Sequence, residues 1–268
     1  MTTVFAVANQ KGGVGKTTTS VNLAASLVAT RKKVLLVDVD PQGNATSGAG
    51  VNKNEPELTV YDVLMEETPV EQAIVSTPEE SGFDLLPANG DLTAAEVQLL
   101  DVKMKEFRLR NALARIRSRY DYIVVDCPPS LNMLTVNALV AADSVIVPIQ
   151  CEYYALEGIT ALMQTVEKIR SMLNPKLHIG GVLRTMYDPR NTLSNDVSNQ
   201  LINHFGDRVY RTIIPRNVRL AEAPSYGAPV LSYDGRSRGA ISYLALAGEI
   251  LRREGELHSG DRQTAGAE

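Results

Sequence analysis

A chain of 268 residues, 44% hydrophobic and 22% charged, can bury one large core or two small ones, and its composition is neither fibrous nor disordered. Two cysteines, Cys127 and Cys151, cannot build a disulfide framework, and no apolar run reaches the roughly 18 residues that cross a bilayer, so a soluble cytoplasmic protein is expected. The formal net charge of −4 excludes a uniformly basic nucleic-acid binder, but eight arginines, no lysine and five acidic residues between Arg184 and Arg238 make that stretch +3 and leave −7 for the rest.

The first predicted strand is Val4–Ala8, too short for a signal peptide's apolar stretch and running into Lys11. Gly12-Gly13-Val14-Gly15-Lys16-Thr17 follows, and a helical pattern begins near Lys16. Strand, glycine-rich turn and helix start together make a phosphate cradle. Glycines let main-chain N–H groups approach phosphate oxygens, and the helix adds its positive dipole end. Lys16 is expected on the β- and γ-phosphates of ATP, and Thr17 is expected to offer its hydroxyl to Mg²⁺. A chance glycine-rich turn is the bland alternative, and the strand-then-helix context counts against it. Lys11 lies five residues before Lys16, where it cannot easily fold back onto the same phosphates. A second positive charge there is either an exposed side chain or a group delivered to another subunit's nucleotide, in the manner of an arginine finger.

Val34–Val39 is the second strand, and Asp38 and Asp40 stand at its end in Val37-Asp38-Val39-Asp40-Pro41. Residues 50–82, with Pro56, Pro69 and Pro78, read as a loop-rich surface excursion. Asp84–Pro87 and Tyr122–Asp126 are the next strands, the latter leading into Cys127-Pro128-Pro129. Ser144–Ile149 follows. A helix then shows one apolar face through Leu156, Ile159, Met163, Val166, Ile169 and Leu173. Ile179–Leu183 and Tyr210–Ile214 complete the strands. Continuous apolar strands alternating with helices predict one doubly wound α/β domain with a mainly parallel sheet over residues 1–254. The polar tail, residues 255–268, is expected to be disordered. Ligands collect at the carboxyl ends of strands in such sheets, so Asp38, Asp40 and Asp126 should all face the phosphate loop. Acidic residues at strand ends are also common at a plain surface.

Five segments stand out together: Asn9-Gln10-Lys11-Gly12-Gly13-Val14-Gly15-Lys16-Thr17-Thr18, Val37-Asp38-Val39-Asp40-Pro41-Gln42-Gly43-Asn44, Asp126-Cys127-Pro128-Pro129-Ser130, Glu152-Tyr153-Tyr154-Ala155-Leu156-Glu157-Gly158 and Pro215-Arg216-Asn217-Val218-Arg219. In them the sequence resembles the ParA/Soj family of bacterial chromosome- and plasmid-partitioning ATPases, within the MinD/ParA group of deviant Walker-A proteins. The resemblance implies an ATP-sandwich homodimer in which Lys11 crosses to the partner's phosphates. Asp40 would position the attacking water, Asp126 would support Mg²⁺ through water, and Pro215 and Asn217 would line the adenine pocket. Asp38 would hold either the metal's water shell or only its loop. It further implies non-specific binding of double-stranded DNA, association with the nucleoid, and stimulation of slow hydrolysis by a ParB-type centromere-binding protein. Arg190 and Arg219 match DNA-contacting positions; Arg184 is a further candidate, and Arg216 fits either DNA or the nucleotide.

Two other classes share the scaffold. A MinD-like positioning ATPase needs a C-terminal amphipathic membrane helix, but Glu254–Glu268 holds only Leu257 as a sizeable apolar residue. A metabolic or redox enzyme, such as a nitrogenase-iron-protein relative or an amidoligase-like synthase, is the other class; a cluster would need thiolate ligands, which Cys127 and Cys151 could supply two per subunit across a dimer, but Cys127 follows a buried strand where cysteine is usually a small hydrophobe. A guanine-specific GTPase is disfavoured because Asn52-Lys53-Asn54-Glu55 ends in the wrong residue and lies early in a loop. With the phosphate loop starting near residue 10, no upstream helix-turn-helix is expected.

Overall fold

The computed structural model describes residues 2–65 and 68–264, with side chains apart from 157 and 256–264. Its strands are β1 (Thr3–Val7), β2 (Val34–Asp38), β3 (Val75–Ser76), β4 (Asp84–Leu86), β5 (Tyr122–Asp126), β6 (Ser144–Gln150), β7 (His178–Tyr187) and β8 (Val209–Pro215). The helices are α1 (Lys16–Ala29), α2 (Asn44–Gly48), α3 (Val60–Leu64), α4 (Val70–Ala73), α5 (Leu92–Gln98), α6 (Arg108–Ile116), α7 (Met133–Ala141), α8 (Ala155–Met172), α9 (Thr192–Phe205), α10 (Val218–Glu222), α11 (Val230–Tyr233) and α12 (Arg238–Thr264).

Among the described residues the strands form one sheet in the order β3-β4-β2-β5-β1-β6-β7-β8. Every pairing is parallel except β3 with β4. The strands are apolar because both faces are covered. On one face Leu23 and Leu27 of α1 and Tyr243, Leu246 and Ile250 of α12 pack over Phe5, Val7, Leu36 and Val124. On the other, Leu109 and Leu113 of α6, Leu134 and Ala138 of α7 and Ile159, Leu162 and Val166 of α8 pack over Val4, Ala6, Leu35 and Val125. Leu156, Met163 and Leu173, read from periodicity as part of the α8 core face, lie at its margin and are only partly buried.

Two segments differ from the sequence reading. The excursion at 50–82 contains short elements. Thr59 caps α3 reciprocally with Asp62, and Val75–Ser76 pairs antiparallel with β4. α12 continues as helix to Thr264, into the tail expected to be disordered; residues 265–268 lie outside the described residues.

Candidate nucleotide site

Parallel strands bring the loops after β1, β2, β5, β6, β7 and β8 to one edge of the sheet. The loop after β1 is slung between neighbours. Asn9, 4% exposed, donates from Nδ2 to the Pro148 carbonyl at 2.8 Å, and its Oδ1 accepts the Lys11 N–H at 3.0 Å. Thr185, at the end of β7, donates to the Val14 carbonyl at 2.8 Å. Gly15 caps α1 at φ 88°, a left-handed conformation that a side chain would strain, and so turns the chain from loop into helix. No main-chain N–H from Gly12 to Thr17 donates to a protein acceptor among the described residues. Main-chain donors left without protein partners at a helix N-terminus suit an anion, with Gly12 and Gly13 exposed and Val14 to Thr18 buried or half-buried, so Gly12, Gly13, Val14, Gly15, Lys16, Thr17 and Thr18 have the geometry of a phosphate cradle.

The two lysines of the loop diverge. Lys16 is buried, and its Nζ donates to the Lys11 carbonyl at 3.2 Å. Burial lowers its pKa, while Asp126 and Asp40 pull the other way. Lys11 turns outward to Glu152, at the approach to α8, with Nζ 2.7 Å from Oε2.

The three aspartates are held differently. Asp126, fully buried at the end of β5, accepts the Thr17 hydroxyl at 2.8 Å on Oδ2 and the Ser20 hydroxyl at 2.7 Å on Oδ1. A hydroxyl whose proton is given to a carboxylate presents its lone pairs to a cation, so Thr17 with Asp126 behind it fits Mg²⁺. Burial and then the nearby Asp38 charge push Asp126 up to about 8. Among the described residues no three His, Cys, Asp or Glu side chains are grouped to hold a metal, so Mg²⁺ here would complete its shell with phosphate and water. Asp38 is also fully buried, and it is saturated. Oδ1 accepts the Asp40 N–H at 3.1 Å, while Oδ2 accepts both the N–H and the hydroxyl of Thr46 at 2.8 Å. Of the two roles left open for Asp38, these bonds favour holding its loop. Burial pushes it up to about 6. Asp40 accepts the Gln42 N–H at 2.9 Å on Oδ1 and lies close enough to affect both Lys16 and Asp126 electrostatically. Ser20, Thr46 and Thr185, all anchors of this site, escape sequence reasoning, and Asn9 entered it only as part of the family motif, with no role.

Pro215 ends β8 on the same edge, and Asn217 caps α10 through Oδ1, which accepts the Arg219 N–H at 2.9 Å. The arginines separate into two kinds. Arg190 and Arg219 are exposed. Arg190 makes a two-pronged pair with Asp188 (Nε–Oδ1 3.0 Å, Nη2–Oδ2 2.8 Å), which holds that carboxyl down to about 2. Arg219 reaches Glu222 at 2.8 Å and Asp234 at 3.3 Å. Arg216 is exposed as well. Arg184 corrects the sequence reading. It is 7% exposed and donates to the Ser198 hydroxyl at 2.9 Å and the Tyr210 carbonyl at 2.8 Å, tying β7 to α9 and β8. A guanidinium committed to the core is not a DNA contact. Cys127 and Cys151 are buried thiols, and burial raises both pKa values, that of Cys151 to about 11. That is the opposite of a thiolate ligand.

The family described as "AAA domain" covers residues 2–179. The chain is 54% identical over 253 residues to the chromosome partitioning protein ParA of Caulobacter vibrioides, covering 94% of each. It is 53% identical over 247 residues to the sporulation initiation inhibitor protein Soj of Bacillus subtilis, covering 92% of this chain and 97% of that one. A cobyrinic acid a,c-diamide synthase of Mycobacterium smegmatis, solved with ADP and magnesium, is 40% identical with a TM-score of 0.83, covering 94% of this chain and 95% of that one. The cell division ATPase MinD of Pyrococcus furiosus is 25% identical with a TM-score of 0.77, covering 94% and 99%. A synthase and a division ATPase thus share the scaffold, but proteins named ParA or Soj align over more than nine-tenths of this chain at 48–54% identity. By that alignment, and by the phosphate loop, lysine pair and aspartates it spans, the chain belongs to the ParA/Soj family of chromosome-partitioning ATPases.

Proposed function

We propose that this ATPase is a nucleotide-timed switch on DNA. Two copies close around ATP, the closed dimer binds double-stranded DNA without regard to sequence, and hydrolysis stimulated by a ParB-type partner releases it. The cofactors are ATP and Mg²⁺. Lys16, the N–H groups of the loop and the α1 dipole bind the β- and γ-phosphates, and Thr18 flanks them. Thr17, backed by Asp126, holds Mg²⁺, which supplies neutralising charge. Asp40 orients water in line with the γ-phosphate, and Pro215 and Asn217 border the base.

The observation that carries the reading is the divergence of the two lysines. Lys16 already fills the inside of its own loop, while Lys11 points out to a half-exposed pair with Glu152. A charge aimed away from its own phosphates is of use to a nucleotide held by a second copy. The DNA part rests on Arg190 and Arg216, exposed on the loops after β7 and β8, and on Arg219, exposed at the start of α10. Phosphate binding by arginine forks needs no base readout, and a dimer doubles the contacts on one surface. Such a protein resides in the cytoplasm on the nucleoid. No described helix is long and apolar enough to cross a membrane.

The deciding experiment is co-sedimentation with DNA and, separately, with anionic lipid vesicles, each with ATP, ADP and no nucleotide. DNA retention with ATP alone, faded by salt, is the expected result. Vesicle retention without DNA retention would replace this reading by a MinD-like one. A further arm adds saturating cognate ParB with DNA; no rise in phosphate release would remove the stimulation step.

A further inference from the structure

Asp40 stands in a turn that has little hold on itself. Its own carboxylate accepts the Gln42 N–H at 2.9 Å, and its carbonyl accepts the Gly43 N–H at 2.9 Å. Lys53 Nζ holds the Gln42 carbonyl from the solvent side at 2.9 Å, and on the inner side one buried side chain ties the turn to the chain after β4. Thr46, on the first turns of α2, is fully buried. Its hydroxyl donates to Asp38 Oδ2 at 2.8 Å, its N–H donates to the same oxygen at 2.8 Å, and its hydroxyl oxygen accepts the Ala88 N–H at 3.0 Å. The other oxygen of Asp38 receives the Asp40 N–H at 3.1 Å. One hydroxyl therefore links the chain after β4, through Asp38, to the main chain of Asp40. Gly43 closes the same turn at φ 63°, where a Cβ would meet the Ala88 carbonyl at 2.8 Å, so the turn is pressed against β4's exit with no room to shift.

We propose that Thr46 is a positioning residue for hydrolysis: by pinning Asp38 and the Ala88 N–H together, it sets where the Asp40 carboxylate stands relative to the phosphate loop. This rests on Asp40 as the residue that orients water. Thr46 faces neither the P-loop glycines nor the base-binding end at Asn217, so it acts on turnover and leaves ground-state binding of ATP alone. A small misplacement of a group that orients a reactant is costly in rate even where binding is unaffected.

The test compares Thr46→Val, which keeps the shape and loses both hydroxyl bonds, with Thr46→Ser, which keeps both bonds. Each is made in the wild-type chain and with Asp40→Ala. ATP affinity, single-turnover rate and thermal melting are measured on the full chain with Mg²⁺. Thr46→Val should lower the rate about tenfold or more with ATP affinity within about threefold, Thr46→Ser should return to within about threefold of wild type, and Thr46→Val should add nothing once Asp40 is alanine. A normal rate in Thr46→Val with a slow Asp40→Ala overturns the role of Thr46 alone. A normal rate in Asp40→Ala overturns the reading of Asp40 and the role of Thr46 with it. Equal loss from Thr46→Val in both backgrounds, or parallel loss of ATP affinity and melting temperature, assigns Thr46 to the fold and overturns the proposal. If Thr46→Val does not fold, Thr46→Ala is read by the same cycle, with the same outcomes.

Discussion

The two halves of the ligand edge are built on opposite plans. Around β1, β2 and β5 the functional charges other than Lys11 are buried, and most are tied to the chain: Lys16 to a carbonyl, Asp126 to two hydroxyls, Asp38 to three donors. Around β6, β7 and β8 the charges stand in the open and are paired with carboxylates: Glu152 with Lys11, which reaches across from the loop after β1, Arg190 with Asp188, and Arg219 with Glu222 and Asp234. Buried groups have fixed positions because leaving them unpartnered is costly. Exposed pairs are held weakly and can trade one anion for another. The first half suits chemistry that must not shift, and the second suits partners that come and go.

The largest expected effect tests the anchored half. Lys16→Ala removes a charge-assisted phosphate contact worth about 1.5–3 kcal/mol, or about 10- to 100-fold in ATP affinity by calorimetry. An affinity within twofold of wild type would mean the phosphates are not held there.

The buried carboxylates give the next effect. Asp126, at about 8, and Asp38, at about 6, both bind protons more tightly in the folded chain than in the unfolded chain, where an aspartate sits near about 3.9. Between those values the folded state carries more protons, so this contribution to stability is complete below about pH 4 and is lost as pH rises to about 8. Without nucleotide, the melting temperature of Asp126→Asn should fall less over pH 5 to 8 than that of wild type, with the remainder from Asp38. Parallel curves would show that Asp126 is ionised in the free protein. Adding Mg²⁺ and ATP should raise the wild-type melting temperature more than that of the variant, because a cation favours the ionised carboxylate.

For the open half, Arg219→Ala should weaken ATP-dependent DNA binding about tenfold at moderate salt and reduce the log–log salt slope by about 0.9 per lost contact. Glu222→Gln sharpens the comparison. It frees Arg219 from one partner and should strengthen DNA binding, read by fluorescence anisotropy across a salt series. Weaker binding in Glu222→Gln would mean that the carboxylate orients the arginine and does not compete for it.

The smallest effect is expected at Glu152. Its pair with Lys11 is about half exposed, so Glu152→Gln should change unfolding free energy by no more than about 1 kcal/mol in a urea titration. A larger loss would move Lys11 into the anchored half.

Most of the strands were legible because buried parallel strands are written as continuous apolar runs, and the phosphate loop was legible because few other functions need that glycine and lysine spacing. Val75–Ser76 was not, since a two-residue edge strand is specified by its neighbour Leu85 and not by its own pattern. Arg184 misled because β7 runs on to Tyr187, four residues past Leu183, where the sequence reading ended it; an arginine inside a strand is read locally as surface charge, and only α9 and β8 folding over it make it core. Ser20, Thr46 and Thr185 were invisible for a related reason. A hydroxyl's partner lies far along the chain, 106 residues for Ser20 and 171 for Thr185, and no local pattern encodes it.

The packing of α12 across α1 bears on the order in which the molecule can be assembled. Tyr243 is within hydrogen-bonding distance of Thr19 at 3.1 Å, and the Val230 N–H donates to Asn22 at 2.7 Å, joining α1 to segments more than two hundred residues later. Leu23 and Leu27 lie in one buried cluster with Tyr243, Leu246 and Ile250. Contacts so distant in sequence are slow to close, and a growing chain makes them last. On the ribosome, therefore, α1 waits for α12, more than two hundred residues later, before its apolar face is covered.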